Sequence, residues 1–141
     1  MASGIACASG GVSVARMART PDARPLLWTG HVFLHTADLA AAARFYEQIG
    51  MRVVAVMEHL AALEMRGGTH LLLRPEPEQV VPGPVDWDLM VDDLDLTHDK
   101  WQAEGIAVTE IVMESPHRRF DVTDPDGHVI VVRDTHVVGP V

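Results

Sequence analysis

The chain has one cysteine, Cys7, in 141 residues. A single thiol forms no intrachain disulfide, so the fold does not depend on an oxidising compartment. Uninterrupted apolar runs of about 18 residues are also missing, which excludes a membrane-spanning helix. Basic charge is scarce: 11 Lys and Arg stand against 20 Asp and Glu, a net −9. Residues 1–27 hold Arg16, Arg19 and Arg24 against Asp22, so they carry +2 and the remainder carries −11. Such a surface repels phosphates, and nucleic acid is not an expected partner. The N-terminal residues lack a charged start followed by an apolar core, so no secretory signal is read there. Residues 1–27 are expected to be a flexible extension, and the location is expected to be cytoplasmic. No Ser-His-Asp or Cys-His arrangement stands out. The pairs Gly10-Gly11 and Gly67-Gly68 lack the context of a phosphate-binding loop.

What the chain does have is a repeat. The stretch His31–Val54 recurs 55 positions later without a gap. Leu34 falls on Leu89, Asp38 on Asp93, Leu39 on Leu94, Tyr46 on Trp101, Gly50 on Gly105, Met51 on Ile106 and Val53 on Val108. Asp38 and Asp93 are placed to cap helices, and Gly50 and Gly105 to end them. A duplicated module points to two half-sites, so residues at equivalent places in the two halves are the first functional suspects.

Each half reads as βαβββ. In the first, His31–His35 alternates as a strand. Leu39, Ala42, Ala43, Tyr46 and Ile49 give a helix one apolar face, and strands are expected at Met51–Met57, His59–Met65 and Thr69–Leu73. In the second, strand Asp86–Val91 and a helix from Asp93 precede strands at Ile106–Met113, Arg119–Thr123 and His128–Arg133. Asp124-Pro125-Asp126-Gly127 is a tight turn. The expected organisation is the extension 1–27, a first module 28–74, a Pro-rich linker 75–85, a second module 86–135 and a tail 136–141. A lone module leaves one sheet face bare, so the two are expected to pair.

Strand parity assigns the faces. Val32, Leu34, Trp87, Leu89 and Val91 belong under the helices, with Leu71, Leu73, Ile130 and Val132. The opposite face carries His31, Phe33 and His35 in one half and Asp86, Asp88 and Met90 in the other. His70, Leu72, Arg74, Val129, Val131 and Arg133 lie there too. A face this mixed in polarity is expected to line a pocket. Trp87, Trp101 and Tyr46 read as core, His98 as solvated, and His128 as a turn histidine aimed away from the pocket.

With this duplication the chain resembles the vicinal oxygen chelate superfamily, the group of glyoxalase I, extradiol dioxygenases and bleomycin-resistance proteins. The resemblance covers roughly residues 30–135. It is carried by His31-Val-Phe-Leu, Asp38-Leu39, Phe45-Tyr46 before Gly50-Met51, Val91-Asp92-Asp93-Leu94 and Asp124-Pro125-Asp126-Gly127-His128-Val129-Ile130. It implies an α+β fold in which two paired βαβββ modules form curved mixed β-sheets around a cup, with the helices outside. It also implies a divalent metal (Fe, Mn, Ni or Zn) held from the first and fourth strands of each half. Carried over residue by residue, those positions are His31, Leu72, Asp86 and Val131. A catalytic metal normally takes three protein ligands, and only His31 and Asp86 can serve.

No cofactor is therefore expected, and the expected function is binding of a small organic ligand in the cup. Two alternatives stand: a metal-dependent lyase or dioxygenase using His31 and Asp86, and a metal-free acid/base enzyme with the same pair as its catalytic groups. A repaired metal site would recruit His35, His70 or Asp88. Phe33 is placed to stack on a planar ligand, and Arg119 to meet an anion. The expected ligand-binding set is thus Phe33, His35, His70, Asp88, Arg119 and Val131. The resemblance implies a homodimer, in which the Pro-rich linker permits exchange of modules between chains.

Overall fold

A computed structural model describes residues 24–137 and 140. The expectation of a flexible extension falls largely on residues 1–23, outside the described ones. The elements follow the order expected from the repeat: β1 (His31–His35), α1 (Leu39–Gln48), β2 (Arg52–Val56), β3 (Ala61–Glu64) and β4 (His70–Arg74), then β5 (Gly83–Val91), α2 (Leu94–Ala103), β6 (Val112–Glu114), β7 (His117–Thr123) and β8 (His128–Asp134). They build two four-stranded mixed sheets of identical plan, β1-β4-β3-β2 and β5-β8-β7-β6. In each, the first and fourth strands run parallel and the remaining pairs antiparallel. No described helix is long and apolar enough to cross a membrane.

Local chemistry sets the helix limits. Asp38 accepts from Ala41 N at 3.0 Å and Asp93 from Leu96 N at 2.9 Å, each satisfying a backbone donor of the first turn that has no partner within the helix. Gly50 and Gly105 follow the last turns at φ 121° and 77°, a region where a Cβ would be strained.

The parity assignment holds on both sheets. Leu34, Leu71, Leu73, Ile130 and Val132 are buried, while His31, Phe33, Asp86, Asp88 and Met90 are exposed. The helix-covered sides of both modules merge into one core with Ala42, Tyr46, Trp101 and Phe120. Trp101 and His98 both meet Phe120 edge-on.

Three local expectations need correction. The segment expected as strand Ile106–Met113 pairs as a ladder only from Val112 to Glu114. Ile106 instead turns into the core and Val108 forms a lone bridge to Val122, so the segment fills space beneath α2 rather than extending the sheet. Strand β5 starts at Gly83, inside the stretch assigned to the linker, because Gly83 N reaches Gly127 O at 2.9 Å. His98 is 6% exposed, not solvated. Its Nε2 lies 2.9 Å from the Thr109 carbonyl, a partner supplied by the loop that replaces the expected strand.

Two irregularities interrupt the ladders. β2 shifts register against β3 between Val53 and Ala55. β5 shifts against β8 between Pro84 and Asp88, so Asp86 lies in a bulge with no partner across the ladder.

Candidate functional site

The open face of the first sheet is rich in histidine. His31 and His70 are register partners, and their rings stack at 5.7 Å. Phe33, beside Leu72 in the ladder, is 51% exposed, and the Arg74 guanidinium lies 5.1 Å from its ring centroid. Such cation–π contacts hold a ring in place without covering its free face. His35 Nδ1 is 2.8 Å from Glu76 Oε2. Arg52 binds Glu64, and this bond holds the Glu64 carboxyl below its usual range.

The open face of the second sheet is rich in carboxylates. Asp86 and Asp88 come from β5, Asp121 from β7 and Glu114 from β6. Arg133 Nε donates to Asp88 Oδ2 at 2.9 Å. Arg119 is gripped by Glu114 at 2.6 Å and by Asp121 at 2.7 Å. The Glu114 hydrogen bond leads in raising the pKa of Arg119, and that of Glu114 is lowered in return. With both terminal nitrogens engaged, Arg119 is a structural cation rather than an open anion site.

No hydrogen bond or ion pair joins His31 to Asp86, and both stand exposed on their own sheets. Leu72 and Val131, at the other two positions implied by the family, carry no donor atoms. The four therefore do not fit a three-ligand metal centre. A different group does bring two acids and a histidine together. One ligand atom from each of Asp124, Asp126 and His128 lies within 4.8 Å of the others. These oxygens are already satisfied. Asp124 Oδ1 accepts from the backbone N–H groups of Asp126 and His128, both at 2.9 Å. Its Oδ2 accepts from Tyr46 Oη at 2.7 Å and His128 Nδ1 at 2.7 Å. Asp126 accepts from Thr36 Oγ1 at 2.5 Å and Ala37 N at 2.9 Å. The cluster is a polar latch between the second module's turn and the first module's helix. His128 is thus aimed away from the open face, as expected, but buried at 4% rather than exposed on its turn. Burial, and then the Asp124 charge, drive the Tyr46 pKa far upward.

Sequence reasoning missed this latch and also a cavity between the modules. That cavity, about 810 Å³, opens on the helix side between the modules, with Trp28, Trp87, Trp101, Met65 and Val91 in its wall. Of the expected ligand-binding residues only Asp88 borders it.

The model of the Glyoxalase/Bleomycin resistance protein/Dioxygenase superfamily matches residues 28–132, well over half of the chain. No curated protein sequence matches. Among solved structures, lactoylglutathione lyase from Agrobacterium tumefaciens is 21% identical at a TM-score of 0.65, over 79% of this chain and 95% of that one. TnmS3, an antibiotic binding protein from Streptomyces sp. CB03234, is 23% identical at 0.66, over 79% and 98%. A bleomycin resistance determinant encoded on the transposon Tn5 is 20% identical at 0.62, over 78% and 99%. At these identities the likeness is one of fold.

Proposed function

Because the chain belongs to the Glyoxalase/Bleomycin resistance protein/Dioxygenase superfamily, we propose that it binds a small organic ligand without a metal, in a cup completed by a second copy of itself. The observation that carries this is the pair of sheet faces that the described residues leave uncovered. Each presents an exposed apolar side chain, Phe33 at 51% and Met90 at 47%, set among polar groups. A mixed face of this kind suits ligand capture.

The two faces have complementary charge. The first offers His31, His35, His70, Arg52 and Arg74 against Glu64. The second offers Asp86, Asp88, Asp121 and Glu114 against Arg119 and Arg133. In a two-fold dimer the first face of one copy meets the second face of the other, and two equal cups form. His31 then faces the partner's Asp86, and Phe33 stacks on the ligand. His35, His70, Asp88 and Val131 line the walls. TnmS3 and a bleomycin-binding protein, both similar in fold, are ligand-capturing proteins by name.

Light scattering on the purified protein is expected to give a dimer. Calorimetry against aromatic antibiotics, beginning with bleomycin, is expected to find a ligand that mass spectrometry recovers unchanged. Stoichiometric Fe, Mn, Ni or Zn, lost in His31→Ala, would replace this reading with a metal-dependent lyase or dioxygenase. Turnover that stops in Asp86→Asn would replace it with metal-free acid/base chemistry.

A further inference from the structure

The duplication places two equivalent junctions between the modules, and they have diverged. Phe33 pairs with Leu72 as Asp88 pairs with Val131, which matches β4 to β8 residue by residue. On that match Met65 stands where Asp124 stands, Gly67 where Asp126 stands and Thr69 where His128 stands. The 55-residue offset likewise sets Trp101 against Tyr46 and Val91 against Thr36. At one junction these positions make the closed polar latch. At the other, every charged member has become apolar, small or uncharged, and the cavity of about 810 Å³ takes the latch's place.

Three features describe what fits it. All three tryptophans of the chain, Trp28, Trp87 and Trp101, contribute to its wall. Indole faces favour flat aromatic molecules. Three charged groups at its border are paired: Arg66 binds Asp92 in a fork, at 3.0 and 2.7 Å, and Asp88 is held by Arg133, while Arg24 stands exposed at the rim. A neutral ligand thus meets no uncompensated charge from these groups. The volume lies within the range of about 300–1,000 Å³ common for small-molecule sites.

We infer that this inter-module cavity is a second binding site, which borders the open face of the second sheet only at Asp88 and Met90, for an uncharged planar aromatic molecule. The cavity walls do not include His31, Phe33 or Asp86, so this site and the proposed cup can be tested apart.

The test uses N-phenylnaphthylamine, a neutral fluorescent aromatic, titrated into the full-length chain. One probe per chain is expected, with saturable quenching of tryptophan emission by energy transfer. Trp28 is 69% exposed, so Trp28→Ala is expected to keep the wild-type melting temperature while weakening uptake about tenfold. Val91→Phe narrows the cavity from the strand side and is expected to reduce uptake likewise. His31→Ala is expected to change nothing. Absence of saturable uptake would overturn the inference. So would uptake that His31→Ala abolishes, or that neither cavity variant alters in proteins that fold normally.

Discussion

Replacing Tyr46 with phenylalanine removes a single oxygen from the centre of the protein. The ring is fully buried, and its hydroxyl is one of four donors to the Asp124 carboxylate. A hydrogen bond to a charged group contributes about 1.5–3 kcal/mol net. Asp124 keeps three donors in the variant, which places the loss near the lower end, about 1.5–2 kcal/mol. For a chain of this size that is a fall in melting temperature of about 5–10 °C.

The same contact has an alkaline signature. The hydroxyl ionises near its ordinary value of 10.0 in the unfolded chain, whereas burial and then Asp124 raise the folded value far above it. Its stabilising effect is therefore complete below pH 10 and declines as pH rises further, by about 1.4 kcal/mol for each unit. Tyr46 is the chain's one tyrosine, so the tyrosinate absorbance band reports this hydroxyl alone. The band is expected to appear only as the protein unfolds. Tyr46→Phe is expected to unfold less steeply with pH on the alkaline side. Tyrosinate forming near pH 10 in protein that keeps its circular dichroism would refute the buried-latch reasoning. So would a loss below about 0.5 kcal/mol in Tyr46→Phe.

Asp93→Ala, which removes the cap of α2, is expected to cost about 1 kcal/mol in urea unfolding. Phe120→Ala empties a fully buried site touched by Trp101 and His98, and a loss of about 3–5 kcal/mol is expected. On the acid side, the Glu114 carboxyl is held below its usual range chiefly by Arg119. Its contribution is present above the ordinary carboxylate range and is lost as pH falls below it. Arg119→Ala should flatten that limb of the stability curve, and added salt should do the same. If the opposing charges on the two open faces join copies of the chain, dimer dissociation measured by sedimentation should strengthen as salt is raised.

Much of the fold was legible because its signals are local. Caps at Asp38 and Asp93, stops at Gly50 and Gly105, and the period-two alternation of β1, β4, β5 and β8 each act within a few residues. The failures share a cause in distance along the chain. Tyr46 and Thr36 meet their acidic partners 78 and 90 residues away, and no spacing rule links them. The paired aspartates of the 124–127 turn are a visible signal, but the sequence presents them as turn formers and family markers, and nothing in it names Tyr46 or Thr36 as their partners. His98 looked polar because its helix neighbours are polar, while its true partners come from the loop after α2 and from β7. The candidate site was legible as two sets of side chains on defined faces. That His31 and Asp86 do not meet within one chain could not be read from parity, which fixes a residue's side of a sheet but not the direction in which that sheet faces.

The register shift in β2 carries a consequence for life at high protein concentration. Among the described residues neither sheet closes on itself, so β2 and β6 each leave a row of backbone groups without a strand partner at a border. Val54 and Val56 on β2, and Val112 and Met113 on β6, are exposed there. A flat apolar border of that kind recruits neighbouring chains into extended aggregates. The extra residue between Val53 and Ala55 bends the first border away from the straight template such growth requires. The second border is only three residues long and ends in Glu114. Removing the β2 irregularity by deleting Val54 would lengthen the straight ladder, and the cost would be read in solubility rather than in folding.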